Sequence, residues 1–432
     1  MNKEKRDYGF DTLAIHSGQT PDPSTLARAV PVHRTSSYVF RDSEHASNLF
    51  GLKELGNIYT RIMNPTTDVL EKRTACLEGG VGALALASGS AAVFYSLVNI
   101  IEQGYEFVAS RHLYGGTFTL FHDILPQFGI NARFVDCNDP EAFASAINSK
   151  TRAIFIETIG NPELCVPEFS EIKEIAERAH VPLIVDSTFT TPFLFKPIEY
   201  GADVVVHSLT KWIGGHGTAI GGIVVDSGKF DWTDTKFRLF NDPEPSYHGL
   251  RFGHDLGELS KMAYILRMRL APLRNMGACI SPDNSWIFLQ GLETLALRME
   301  RHCSNALAVA RYLEKHPKVI WVKYPGLESD PSFAIAQKYF RKGFSGGVVV
   351  FGISGKTEAA KRFIGSLELF SHLANVGDAK SLVIHPASTT HSQLSDEQRS
   401  LAGIPDEMVR LSVGIEDVDD ILDDLDTALA ST

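Results

Sequence analysis

The sequence predicts an α/β protein: a mostly parallel sheet covered by helices on both faces, followed by a smaller α+β domain. Three observations lead there. Between about residues 70 and 230, short apolar runs alternate with longer amphipathic stretches, as strands alternate with crossover helices. The runs themselves are continuous, as buried strands of a parallel sheet must be. Finally, 432 residues exceed the ~250–300 at which a single core stops growing, so two domains or more are expected.

Residues 1–62 are rich in Ser, Thr, Arg and Pro with little periodicity, and read as an extended N-terminal arm, either loose or ordered against another surface. A large domain is expected over residues 63–281. Its strands are Ala83–Ala87, Phe107–Ala109, Ala153–Ile156, Leu183–Val185, Val204–Val206 and Ile223–Val225. Helical windows at Ala91–Glu102, Thr117–Phe128 and Phe169–Ala179 lie between them. A third segment, residues 282–432, opens with the longest helical pattern, Asn284 to Lys315, closed by Pro317. A strand at Gly347–Phe351 and helices at Glu358–Ile364 and Asp417–Leu429 follow. The acidic tail places Val418, Ile421, Leu422 and Leu425 on one helical face with carboxylates opposite.

The net charge of -11, from 41 basic and 52 acidic residues, runs against a nucleic-acid or membrane-surface partner. No window reaches the ~18 apolar residues of a membrane span, and the N-terminus lacks a signal-peptide run. The five scattered cysteines include no CxxC pair and suggest neither a disulfide framework nor a zinc site. A cytoplasmic protein is expected. His207, His248, His254, His385 and His391 show no metal-ligand spacing and read as structural or pocket-lining, so no metal is expected.

In an open α/β sheet, ligands bind beyond the carboxyl ends of the strands. There this sequence collects Ser88-Gly89-Ser90, Glu157 with Asn161 beyond it, Asp186, and Ser208-Leu209-Thr210-Lys211. A glycine turn opening a helix offers N–H groups and a positive dipole end to a phosphate, and Ser208 and Thr210 can add hydroxyls. A carboxylate beside a pyridine nitrogen keeps it protonated, which suits Asp186. Lys211, before the flexible Gly214-Gly215-His216, suits the amine that bonds an aldehyde. Singly, each of these is more often a cap, a turn or a solvated charge; together, and in this order, they specify pyridoxal 5'-phosphate.

Ser208-x-Thr210-Lys211 with Gly214 and His216 resembles the lysine signature of the cysteine/methionine-metabolism pyridoxal-phosphate enzymes, which have the fold-type I architecture. The likeness runs over nearly the whole chain. It implies that Lys211 forms the Schiff base and that Tyr114 stacks on the ring. It further implies that Asn161 binds the ring hydroxyl, and that Arg410, with Ser381, binds the substrate carboxylate. Arg suits that task because its planar fork grips a carboxylate bidentately. Tyr59-x-Arg61 before Asn64-Pro65-Thr66 resembles the motif that reaches a neighbouring subunit's phosphate. A homo-oligomer, at least a dimer with shared sites and by resemblance a tetramer, is therefore expected. Tyr114 and Tyr59 are candidates to assist proton transfer.

Lys211 cannot separate the siblings of this family. Asn241–Leu250 looks like an insertion of the branch acting on O-acetylhomoserine, and the stretch from Ala374 to His391 is similar to that branch throughout. Gly116 stands where methionine γ-lyases carry Cys. The expected reaction joins O-acetylhomoserine to sulfide or a thiol, giving homocysteine or its thioether and acetate. Methionine γ-lyase, other γ-synthases and the O-succinyl ester remain open, as do a transaminase, a cysteine desulfurase and a silent scaffold.

Overall fold

The computed structural model describes residues 8–389 and 403–432. It contains two compact units. One comprises Met1–Ile101, Asp203–Thr210 and Thr218–Glu293; the other comprises Glu102–Ala202, Lys211–Gly217 and Thr294–Thr432.

The strands in chain order are β1 (Gly82–Leu86), β2 (Glu106–Ser110), β3 (Asn131–Val135), β4 (Thr151–Glu157), β5 (Leu183–Asp186), β6 (Val204–Ser208) and β7 (Gly222–Asp226), then β8 (Val319–Lys323), β9 (Val348–Ile353), β10 (Ser371–His372), β11 (Leu382–Ile384) and β12 (Met408–Ser412). In the first unit β7 lies between β1 and β6 and is antiparallel to both. In the second unit β5, β4, β2 and β3 follow in that order, all parallel. Continuous apolar runs thus mark two-sided burial whichever way a strand runs. β7 is the antiparallel strand of an otherwise parallel set, in keeping with the mostly parallel sheet expected.

Two helices of the first unit matter for the site. The helix Pro65–Glu78 starts where the Asn64 side chain accepts from Thr66 N, and it ends on Gly79 in the left-handed region. Asn64 also donates to His33 O, Tyr38 Oη and Thr60 Oγ1, tying the arm to this helix start. Substituting such a cap by Ala costs ~1 kcal/mol. The helix Gly89–Val98 begins directly after β1, with Ser88 Oγ accepting from Ala91 N at 3.1 Å.

The second unit also carries a five-stranded sheet, ordered β10-β11-β12-β9-β8 and antiparallel except for β10 with β11. Val349 and Phe351 of β9 and Val409 and Leu411 of β12 form one buried cluster with Val309, Leu313, Phe363, Ile421 and Leu425 of the covering helices. Burying each such side chain contributes ~1.5–3 kcal/mol. The tail helix Val418–Ala430 buries Ile421 and Leu425, as its spacing predicts.

The element assignments need correction in two respects. The helical pattern from Asn284 to Lys315 is two helices, Pro282–Glu293 and Leu295–Lys315, broken where Thr294 leaves helical geometry. β3 was not expected; it is an edge strand whose residues are exposed or half-buried, so it lacks the apolar run that marks its neighbours. β8, β10, β11 and β12 were not expected either. Among the described residues, no helix is long and apolar enough to cross a membrane.

Candidate active site

In the second unit, the amine of Lys211 is half-buried and donates to Asn375 Oδ1 at 2.6 Å. The loop holding it is pinned by the buried Arg298, whose Nη1 donates to Trp212 O at 2.6 Å and Nη2 to Ile213 O at 3.2 Å. Asn375 can lie this close because Gly377 follows it. A Cβ on Gly377, which has φ +79°, would stand 2.6 Å from Trp212 N. Burial and the neighbouring Arg410 guanidinium push the Lys211 amine down to about 8. A lysine so placed spends a useful fraction of its time neutral, as a nucleophile must.

Arg410 lies buried on β12, and its Nη1 donates to Asn161 Oδ1 at 3.2 Å. Burial lowers it to about 10, against the opposing influence of Tyr114. Tyr114 is half-exposed, and its backbone N–H donates to Glu157 Oε1 at 2.7 Å. Its ring covers Gly116: a Cβ there would lie 2.6 Å from Tyr114 Cε1. Asp186 ends β5 in register with Glu157 at the end of β4, and its Oδ1 accepts from Thr188 N at 2.9 Å. Burial, then the charge of Asp186, pushes the Glu157 carboxyl well above the usual carboxylate range. The second unit therefore gathers an amine, a guanidinium, two amides, a phenol and two carboxyls.

The first unit holds the hydroxyl and glycine set. Gly89 opens its helix against Ser208; a Cβ on Gly89 would stand 2.6 Å from Ser208 Cβ. Gly89 thus lets the helix N-terminus pack directly on Ser208, and Ser90 is exposed in the first turn, an arrangement of N–H and hydroxyl donors of the kind that suits a phosphate. Thr210 Oγ1 accepts from Gly221 N at 3.1 Å, so it braces the turn before Lys211. Tyr59 is half-exposed with the Arg61 guanidinium 4.9 Å from its ring, and Arg61 Nε donates to Arg274 O at 3.0 Å. In the insertion Asn241–Leu250, Tyr247 is buried and donates through Oη to Phe50 O at 2.9 Å.

Ser381 is directed elsewhere. Its hydroxyl donates to Glu416 Oε2 at 3.0 Å and accepts from Gly414 N at 2.9 Å, so it braces the sheet. Asn375, from the same segment, is the residue that meets Lys211. The end of that segment, with His391, lies outside the described residues. The cysteines also need correction: Cys137 and Cys165 are joined in the structure, 28 residues apart in sequence. Cys76, Cys279 and Cys303 are free.

The family described as Cys/Met metabolism PLP-dependent enzyme matches residues 11–430. This chain belongs to that family. It is accordingly a pyridoxal-phosphate enzyme with the expected α/β fold. It is 55% identical over 429 residues to an O-acetyl-L-homoserine sulfhydrylase of Leptospira meyeri, with 98% of this chain and 97% of that one covered. A homocysteine synthase of Schizosaccharomyces pombe is 51% identical over 423 residues, covering 97% and 98%. A solved structure from Campylobacter jejuni, described as an O-acetylhomoserine (thiol)-lyase, superposes with a TM-score of 0.94 at 41% identity, covering 98% of this chain and all of that one; it carries a pyridoxyl-lysine monophosphate.

Pyridoxal phosphate needs an amine for its aldehyde, a carboxylate for its ring nitrogen and N–H and hydroxyl donors for its phosphate. The second unit offers the depressed Lys211 amine and Asp186, and the first offers the Ser88–Ser90 turn and Ser208, so the side chains present are of the kinds this group requires.

Proposed function

We propose that this enzyme replaces the acetyl-bearing oxygen of O-acetyl-L-homoserine by sulfide, or by a thiol, to give L-homocysteine or its thioether and acetate. The observation that carries the reading is Lys211. Its amine is depressed to about 8 beside Arg410, so a proton-accepting nitrogen stands next to a group that grips an amino-acid carboxylate.

When bound, pyridoxal phosphate supplies an electron sink for charge developing on the substrate carbons. Lys211 Nζ would hold the cofactor, and as a free amine it would take the Cα proton of the substrate and return one later. Asp186 keeps the proton on the ring nitrogen. Arg410 orients the substrate through its carboxylate; Asn161, which accepts from that guanidinium at 3.2 Å, steadies it and would also bind the ring hydroxyl of the cofactor. The Tyr114 hydroxyl, with Tyr59, assists proton transfer as acetate departs from Cγ and sulfide takes its place. Ser88, Gly89, Ser90, Ser208 and Thr210 receive the phosphate.

Gly116 supports the replacement reading over a γ-lyase. The Tyr114 ring occupies the space that a Cβ at position 116 would need, so the Cys of the γ-lyases would force Tyr114 to move. We further propose that the enzyme works in the cytoplasm as a homo-oligomer, in which Tyr59 and Arg61 complete a neighbour's phosphate site. The half-exposure of Tyr59 supports this. The test is a product assay with O-acetylhomoserine and sulfide, repeated with the O-succinyl ester and with O-acetylserine. Homocysteine from the acetyl ester is expected, and none from any ester refutes the proposal. Methionine alone yielding α-ketobutyrate and ammonia at a comparable rate would favour the γ-lyase instead.

A further inference from the structure

One set of reactive side chains has no part in the chemistry above. Cys137 follows β3, Cys165 lies between β4 and the helix Phe169–Ala179, and His112 stands just beyond β2. All three are buried, with a ring nitrogen of His112 and both sulfurs within 4.8 Å of one another. His112 Nδ1 lies 3.0 Å from Glu163 Oε2, and its Nε2 lies 3.5 Å from Asp136 Oδ1. Burial would raise both carboxyls. For Asp136 the Asn138 N–H, His112 and Arg111 outweigh it, and for Glu163 His112 and Lys323 do, so both are held below their ordinary values. Arg111 Nε also donates to His112 Nε2 at 3.3 Å, so the ring is fixed in place beside the two sulfurs.

The sulfurs sit against a glycine that leaves them room. A Cβ on Gly160 would stand 2.7 Å from Cys165 Sγ and 2.9 Å from His112 Cβ. The same loop is tight: Gly160 N donates to Cys165 O at 2.9 Å, and Leu164 N to Gly160 O at 2.8 Å. Asn161, which touches Arg410, is the next residue. A bond from Cys165 to Cys137 therefore clamps the Asn161 loop to the end of β3.

We propose that Cys137 and Cys165 are a reversible dithiol–disulfide site that sets the stiffness of the loop carrying Asn161, closed by a small peroxide and opened by sulfide. In closing, one thiolate sulfur attacks a peroxide oxygen. The second thiol displaces hydroxide from the resulting sulfenic acid, so two thiols and one hydrogen peroxide become one disulfide and two waters. In opening, hydrosulfide attacks one sulfur, giving a persulfide and releasing the other cysteine as a thiol. A second hydrosulfide removes the outer sulfur as HSS⁻ and leaves a thiolate. Sulfide is small enough to be admitted to a buried pair, and its choice as reductant rests on the function proposed above.

The experiment treats the holoenzyme with hydrogen peroxide and then with sulfide, reading titratable thiols, disulfide-linked peptides by mass spectrometry, and amide exchange over residues 159–165. Expected are a fall from five thiols to three, a Cys137–Cys165 peptide, slower exchange in that loop, and full reversal by sulfide. Cys165→Ala and, should it fold poorly, Cys137→Ala should abolish both the crosslink and the exchange difference. Five thiols after peroxide, a crosslink through Cys76, Cys279 or Cys303, or equal exchange in the two states overturns the proposal. So does stoichiometric zinc in the purified enzyme that is lost in Cys165→Ala, which would make the cluster a metal site. All these readouts need no turnover. Failure to form homocysteine from any ester would therefore sink the function while leaving the cysteine pair standing.

Discussion

Asn375 Oδ1 accepts a hydrogen bond from Lys211 Nζ at 2.6 Å, bringing a residue of the C-terminal segment onto the amine proposed to bond the cofactor. The contact orients Nζ before and between its proton transfers. A hydrogen bond to a charged amine is worth ~1.5–3 kcal/mol, and Asn375→Ala should lose enough of it to lower kcat/KM for O-acetylhomoserine about tenfold, the equivalent of ~1.4 kcal/mol. The visible absorbance of bound cofactor should persist, since Lys211 is intact. Steady-state kinetics beside an absorbance spectrum measure both. Unchanged kinetics would confine the contact to the resting enzyme.

The Lys211 amine is lowered first by burial and then by Arg410. The rate at which apoenzyme captures pyridoxal phosphate should therefore rise with pH and level off above about 8, where the amine is neutral. Removing the guanidinium removes a cause that lowers the amine, so Arg410→Gln should move that midpoint upward. The same variant loses the substrate's carboxylate partner, and KM should rise between about tenfold and a hundredfold, from ~1.5–3 kcal/mol for a charge-assisted bond. Reconstitution followed by absorbance at stepped pH checks the first part, and a substrate titration checks the second. A midpoint that stays put would remove Arg410 from the electrostatics of Lys211.

Burial, and then Asp186 beside it, pushes the Glu157 carboxyl well above its ordinary value. A carboxyl raised in the folded state stabilises the fold fully below its ordinary value of 4.5. That contribution is lost as pH rises through the raised value, because the folded protein must then ionise a buried group or unfold. Glu157→Gln keeps an oxygen for the Tyr114 N–H and cannot ionise. The unfolding temperature of Glu157→Gln apoenzyme, relative to the parent, should thus climb as pH rises above the ordinary value of 4.5. A difference that is flat with pH would mean that Glu157 is ionised in the native state.

Legibility in the sequence followed burial. Lys211, Asp186 and Ser88 were readable because each stands at the end of an apolar run, where the chain must emerge from the sheet. The helix Val418–Ala430 was readable from its buried face. Asn375 was not, because its meeting with Lys211 depends on the close approach that Gly377 permits between segments far apart in sequence. Ser381 drew attention in its place, although its hydroxyl serves Glu416 and Gly414. The Cys137–Cys165 pairing was hidden for the same reason. Their sulfurs meet only because β3 and the loop after β4 end at the same edge, and no spacing rule encodes that.

Tyr59 and Arg61 give the last prediction. The arm that carries them leaves Tyr59 half-exposed, with the Arg61 guanidinium 4.9 Å from its ring. If this pair serves a neighbour's phosphate, Arg61→Ala should weaken cofactor retention through loss of a charged phosphate contact worth ~1.5–3 kcal/mol. Lys211→Ala should abolish turnover outright. Each variant alone is then defective for a different reason. In a mixed oligomer, however, an Arg61→Ala subunit supplies Lys211 while its Lys211→Ala neighbour supplies Arg61, so one intact site reappears. Co-refolding or subunit exchange of the two variants should recover activity that neither has alone, and a mixture no better than the sum of its parts would place Arg61 in its own subunit's site. Dialysis of the single variant against cofactor-free buffer reads retention independently, so a subunit that fails to exchange is told apart from one whose arginine has no phosphate to hold.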